Sequence, residues 1–177
     1  MTFSDRMAWL RKKTGTRRVA LIFGGLFALS QLALYLVIRD LPPEKLLVLQ
    51  TTFSKDEFLS IIGTWKMSGV LQQFKLHFYL DFLHPVWYSI FLASLMAISF
   101  NLNGIEKKYN SLLLIPFVAG MLDLLENSVH LFLLANIGAT SEANIFVSAL
   151  AANLKWLLAG TGILIVAVLV IKREVWG

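Results

Sequence analysis

Four apolar runs of membrane-spanning length constrain the fold of this chain more than any other feature of its sequence. Each run holds about 20 residues or more, which as an α-helix matches the roughly 30 Å hydrocarbon thickness of a bilayer. The predicted spans are residues 19–38, 80–100, 111–135 and 145–171. The hydrophobic core of a soluble domain of this size does not require several apolar runs of this length. The sequence therefore predicts one all-α membrane domain, residues 1–177, built as a bundle of four transmembrane helices.

Composition and charge agree with a membrane protein and exclude several other classes. The chain is 57% hydrophobic and only 15% charged, against about 25% charged residues in a typical soluble domain. Its net charge of +5 does not indicate nucleic-acid binding, because the basic residues concentrate beside the predicted spans. The absence of cysteine excludes disulfides, thiolate metal sites and thiol redox chemistry.

The distribution of basic residues predicts the orientation in the membrane. Lys and Arg cluster in residues 1–18, in the turn at Lys107–Lys108 and at Lys172–Arg173, whereas the loop 136–144 has none. By the positive-inside rule, both termini of this multi-pass protein are cytoplasmic. The first apolar run continues well past a small-residue triplet at residues 28–30, so we expect a retained helix and not a cleaved signal peptide.

The segment 39–79 between the first two spans is expected to lie outside the hydrocarbon layer. Two prolines in residues 40–43 end the first helix. Ser54 and Glu57 then form a capping-box pattern that predicts a short amphipathic helix at the membrane interface or over the mouth of the bundle. Its predicted apolar face consists of Phe58, Ile61, Ile62 and Trp65. His77 is expected to be solvated or interfacial.

Three of the predicted spans carry polar side chains at membrane depth, where such groups usually face a protein interior or a wet cavity. The predicted ligand-binding residues are Asp81, His84, Tyr88, Asp123, Glu126, Asn127, His130 and Lys155. Helical spacing places those of the second span on one face, and those of the third on one stripe. Because Lys155 is the only Lys or Arg inside a span, we expect Glu126 or Asp123 as its counter-ion.

Residues 69–100 are expected to form one long helix whose first turns project from the bilayer, and a proline in its spanning part adds a local expectation. Pro85 cannot donate a backbone hydrogen bond, so the carbonyl of Asp81, four residues earlier, is left without its helical donor and the helix is expected to bend there.

Three functions remain compatible with these residues. The first is a buried polar pocket in the outer half of the bilayer that binds a small or lipid-like ligand, a cation or protons. The second is a membrane-embedded enzyme acting on a lipid, with His84, Glu126 and His130 as catalytic candidates. The third is a non-catalytic assembly subunit, in which Lys155 and the acids form a clamp that holds the helices in register.

The sequence requires no cofactor, but it permits two. Asp81, His84, Glu126 and His130 could supply oxygen and nitrogen ligands to Zn²⁺ from two facing helices, although Lys155 nearby would disfavour a cation. His84 and His130 could alternatively be axial ligands of a haem, but the neighbouring carboxylates do not suit the largely apolar pocket that a haem needs.

Part of the chain resembles the EXPERA family of small membrane proteins, which includes the emopamil-binding sterol isomerase and the sigma-two receptor. The resemblance covers about the first hundred residues of a four-span chain. It consists of Asp40-Leu41-Pro42-Pro43 after the first helix, and of Asp81 four residues before Pro85. It implies a pocket for cationic amphiphiles or sterol-like molecules, with Asp40 and Asp81 as pocket acids. The polar stripe of the third span has no counterpart in that pattern.

Overall fold

The computed structural model describes residues 1–176 and is helical, with no strand in that part of the chain. The α-helices, in chain order, are α1 Phe3–Thr14, α2 Arg17–Ile38, α3 Pro43–Thr51, α4 Lys55–Met67, α5 Leu71–Asp81, α6 His84–Leu102, α7 Ile115–Ala135 and α8 Glu142–Trp176. A 3-10 helix, Lys107–Leu114, precedes α7, and a short one, Ile137–Ala139, follows it. The all-α prediction is therefore confirmed for the described residues.

Among residues 1–176, four helices are long and apolar enough to cross a membrane, as predicted. They are Arg17–Ile38, His84–Leu102, Lys107–Ala135 and Glu142–Val175. The third of these includes the 3-10 helix that runs directly into α7. Mean hydropathy over the most apolar 18-residue window is highest in the first and the last of the four, 2.2 and 2.4. The second and third spans have lower hydropathy because they carry buried polar side chains. These are His84 in the second span and Asp123, Glu126, Asn127 and His130 in the third.

The second span begins later than the sequence predicts. Helix α5 ends at Asp81 and α6 begins at His84, so Asp81 precedes the spanning helix and shares no continuous helical face with the residues of α6. Pro85 is the second residue of α6, where a missing backbone donor costs nothing because the first turn has no acceptor for it. The predicted single helix through this region is wrong, and the proline starts a new helix here.

The segment between the first two spans forms three helices, α3, α4 and α5. The sequence predicts α4, and it predicts the residues of α5 as the first turns of a longer helix, but it does not predict α3. Ser54 caps α4 as predicted, since its hydroxyl accepts a hydrogen bond of 3.2 Å from the Glu57 amide. The Glu57 carboxylate, however, accepts from the Thr52 hydroxyl at 2.6 Å and not from the Ser54 amide. The apolar face of α4 is buried, with 2–5% exposure at Phe58, Ile61, Ile62 and Trp65.

The chain forms two compact units. The first consists of Met1–Ala28, Val86–Gly120 and the residues from Trp156 onward, and the second of Leu29–Pro85 and Met121–Lys155. The core of the first unit contains Leu92, Met96, Ala97, Phe100 and Leu113. The core of the second contains Leu41, Leu49, Phe58, Ile61, Ile62, Trp65, Phe74, Phe78, Leu133, Leu134 and Ile145. The second unit also holds the buried ionisable side chains described below.

Helix α1, which the sequence analysis does not predict, is anchored by one arginine. Arg11 donates hydrogen bonds to the Asn101 side chain (2.8 Å), the Ile105 carbonyl (2.8 Å) and the Asn110 side chain (2.9 Å). Its guanidinium also lies 5.6 Å from the centre of the Phe100 ring. Arg11 therefore fastens α1 to the end of α6 and to the turn that follows it.

Candidate functional site

A buried ion-pair centre in the second unit joins α7 to α8. The Lys155 ammonium donates a hydrogen bond of 2.6 Å to Oδ1 of Asp123 and lies 2.6 Å from Oε2 of Glu126. The three side chains are at most 8% exposed, and that of Glu126 is fully buried. The structure thus gives Lys155 both of the counter-ions that the sequence names as alternatives. In so buried a site, each of these charges depends on the others for compensation.

His130 extends this centre along α7. Its Nδ1 lies 3.7 Å from Oε1 of Glu126, and its Nε2 forms a hydrogen bond of 3.0 Å with the Ser148 hydroxyl of α8. The imidazole stacks on Phe58 of α4, with 5.8 Å between the ring centres. Oε1 of Glu126 accepts no hydrogen bond from any residue between 1 and 176. The carboxylate is therefore held on one side by Lys155 and faces only an imidazole at longer range on the other.

The break between α5 and α6 brings further polar groups to the same unit. The Asn127 amide of α7 donates a hydrogen bond of 3.0 Å to the backbone carbonyl of Asp81. This is the carbonyl that Pro85 was predicted to leave without a helical donor. His84, at the start of α6, forms a hydrogen bond of 2.8 Å through Nδ1 with the Ser30 hydroxyl of α2. Side chains of α2 and α7 thus satisfy polar groups at the helix break.

His77 is buried, whereas the sequence predicts a solvated or interfacial side chain. Its residue exposure is 5% because the rings of Phe74 and Phe78 cover it, with ring centres 4.7 and 4.1 Å away. Nδ1 donates to the Phe74 carbonyl, and Nε2 lies 3.6 Å from Oδ2 of Asp81. Burial lowers the pKa of His77 to about 4, although the bond to the Phe74 carbonyl opposes that shift.

We expect the burial of His77 to make the protein less stable in mild acid. The unfolded chain takes up this proton near pH 6.5 whereas the folded chain resists it until about pH 4, so acid favours unfolding across that window. His77 should contribute a slope of up to about 1.4 kcal/mol per pH unit to the free energy of unfolding. Unfolding in mixed detergent micelles at several pH values measures it. His77→Gln, which can still donate to the carbonyl, should give a smaller slope; equal slopes would contradict the assignment.

The structure brings most of the predicted site residues into one unit. Seven are buried in the second unit, at exposures of 0–9%: Asp81, His84, Asp123, Glu126, Asn127, His130 and Lys155. Tyr88 belongs to the first unit and is half-buried. Two polar partners, Ser30 and His77, are not among the predicted site residues. For His77 a signal exists, since it precedes Asp81 by four residues, the spacing at which helical side chains meet.

The predicted metal ligands do not assemble. Within residues 1–176, no group of three or more His, Asp or Glu side chains is arranged to hold a metal ion. One reason is that the helix break separates Asp81 from α6. A second is that the Lys155 ammonium lies 2.6 Å from Glu126, one of the four predicted ligands. Asp81, His84, Glu126 and His130 are therefore not arranged as a ligand set among the described residues.

A separate groove of about 470 Å³ lies on the outside of the second unit, between α5 and the end of α7. Its lining residues are Gln72, Lys75, Leu76, Phe78, Tyr79, Phe82, Leu131, Leu134 and Ala135. None of the predicted site residues lines it. Phe78 is shared by the groove and the ion-pair centre. Its side chain contributes to the groove wall, and the centre of its ring lies 6.4 Å from the centre of the His130 ring.

Comparison with protein-family models, with curated proteins and with solved structures finds no match for this chain.

Proposed function

We propose that this chain is an integral membrane protein whose buried ionisable cluster binds an exchangeable positive charge, a proton or a small cation, in the outer half of the bilayer. The cluster is defined as Asp81, Asp123, Glu126, His130 and Lys155. The observation that carries the proposal is the contact of one buried ammonium with two carboxylates at 2.6 Å each, in a unit that buries a third acid.

The charge count supports this ligand. Asp81, Asp123 and Glu126 are all at most 9% exposed, and Lys155 is the one buried lysine or arginine among the described residues. With the three carboxylates and the ammonium ionised and the His130 imidazole neutral, two negative charges are left without a fixed partner. Burying unpaired charge is costly, so protons or a cation must neutralise part of the cluster. The close contacts within the cluster favour a proton or a bare cation over a bulky ligand.

The membrane location belongs to the same proposal. Four helices of spanning length and low charge support it. The basic residues beside the first, second and fourth spans favour cytoplasmic termini, which places α3 to α5 on the outer face. The EXPERA resemblance remains a prediction. Of its two implied pocket acids, Asp81 is buried, whereas the Asp40 side chain is 55% exposed and accepts a hydrogen bond from Gln73.

Infrared spectroscopy of the protein in nanodiscs tests this proposal. We expect a protonated-carboxyl C=O band that titrates with pH, and that is lost or altered in Asp81→Asn, Asp123→Asn or Glu126→Gln. Asp56→Asn, which removes an exposed acid of α4, serves as the control and should leave the band unchanged. Replacing Na⁺ in the buffer by a bulky organic cation separates proton binding from cation binding, because only a bound cation should make the band respond to this change. If the band neither titrates nor responds to Na⁺, the proposal is wrong.

The closed packing of the same groups favours one second function, a structural clamp in an assembly subunit. Direct contacts connect α7 to α8 through Lys155 and through His130 with Ser148. A clamp requires stability from these contacts but no exchange of charge. The infrared titration therefore separates the two functions.

A further inference from the structure

We propose that the groove between α5 and the end of α7 binds one phospholipid with an anionic headgroup. This site is distinct from the ionisable cluster, and the proposal rests on the membrane location proposed above. The volume of about 470 Å³ lies within the range of about 300–1,000 Å³ that small-molecule sites usually have.

The groove changes from polar to apolar along its length. Gln72, Lys75, Tyr79 and Phe82 follow one another at helical spacings of three and four residues, so they share a face of α5 and its extension. The ten helical steps from Gln72 to Phe82 rise about 15 Å, and the polar side chains lie at the beginning. This gradient matches an amphiphile whose headgroup lies near Lys75 and whose acyl chain runs toward Phe82.

The apolar wall of the groove is partly exposed. Tyr79 is 80% exposed, Leu76 46% and Leu131 37%, whereas Phe78 and Leu134 behind them are at most 5% exposed. Where the groove wall extends above the hydrocarbon layer, an acyl chain bound in the groove would remove apolar surface from water. That burial contributes a favourable free energy of about 25 cal/mol per Å². The buried floor gives that chain a fixed surface to pack against.

Charge complementarity selects the headgroup. Lys75 is half-buried in the groove wall, and no ion pair joins it to an acidic side chain within residues 1–176. The Gln72 side chain on the preceding turn adds an amide donor. A phosphate-bearing headgroup with net negative charge satisfies both groups, whereas a zwitterionic headgroup would bring its own cation close to Lys75. A lysine near a membrane surface contributes about 1 kcal/mol to the binding of anionic lipid.

Photo-crosslinking tests the proposal at the level of the site. The full chain is incubated in neutral detergent with phosphatidylglycerol or phosphatidylcholine, each carrying the same photoreactive acyl chain, and labelled peptides are quantified by mass spectrometry. We expect labelling of residues 76–82 and 131–135, about fivefold stronger with phosphatidylglycerol, which is the fold-change that 1 kcal/mol represents. Lys75→Gln should reduce that labelling to the phosphatidylcholine level.

Two further variants keep the result unambiguous. Lys55→Gln, a lysine of α4 outside the groove, should leave the preference unchanged. Leu131→Trp should fill the groove and lower labelling by both lipids. Equal labelling by the two lipids, or a preference that survives Lys75→Gln, would show ordinary surrounding lipid only and overturn the proposal. Because this readout does not involve carboxyl protonation, it can fail while the proposed cluster function stands, and the reverse also holds.

Discussion

Replacing Lys155 by Met should lower the free energy of unfolding by about 3–5 kcal/mol, because it leaves Asp123 and Glu126 buried without their shared cation. The loss should be smaller at acidic pH, since a protonated carboxyl group needs no counter-charge. Unfolding in mixed detergent micelles, followed by circular dichroism, measures both effects. A loss of this size would show that the Lys155 contacts are the main electrostatic contribution to the stability of the second unit.

Combined variants test whether the unpaired carboxylates cause this loss of stability. Glu126→Gln combined with Lys155→Met should be more stable than Lys155→Met alone, and adding Asp123→Asn should recover more, because each step removes an unpaired charge. Lys108→Met removes an exposed lysine that lies 3.1 Å from Glu106, and should cost less than about 1 kcal/mol. If Lys155→Met is as stable as the wild type at neutral pH, the cluster does not carry paired charges.

Arg11→Met should have the second-largest effect, about 3 kcal/mol, and it should act on the first unit. The change removes three charge-assisted hydrogen bonds and leaves the Asn110 oxygen, on a residue only 1% exposed, without its donor. Helix α1 should then detach before the rest of the chain unfolds. Hydrogen exchange should show faster exchange throughout residues 3–14, together with a lower midpoint of thermal unfolding.

Two variants on α1 serve as references for Arg11. Arg6→Met alters an exposed arginine of the same helix and should leave exchange in α1 almost unchanged. Arg11→Lys should be intermediate, because an ammonium cannot reproduce the fork geometry that bonds Asn101 and Ile105 together. Slow exchange in α1 of Arg11→Met would mean that contacts other than Arg11 fasten this helix.

Local patterns in the sequence were sufficient for most helices. Length and hydropathy predicted four spanning-length helices, and the Ser54 cap predicted the start of α4. Both signals are properties of a single segment, so they need no knowledge of neighbours. Helix α1 was not predicted, although the capping box at Thr2 and Asp5 is a local signal for its start.

The break before α6 shows where segment-based reasoning is insufficient. Residues 69–100 are compatible with one bent helix or with two helices, because Pro85 permits either. The outcome depends on whether partners exist for the freed backbone groups. Asn127 supplies one for Asp81, and that residue lies 46 positions away in the chain. A contact over such a distance is set by packing and not by local preference.

The sequence by itself determined that this chain is helical, that four of its helices can span a membrane, and that its acids and Lys155 need one another. Burial of charge without compensation is too costly for any fold to ignore. Only the tertiary structure decided that Lys155 contacts both Asp123 and Glu126, that His77 lies under two phenylalanine rings, and that Lys75 lines an apolar groove. Those outcomes depend on the rotation and contact of whole helices, which the periodicity of one helix does not specify.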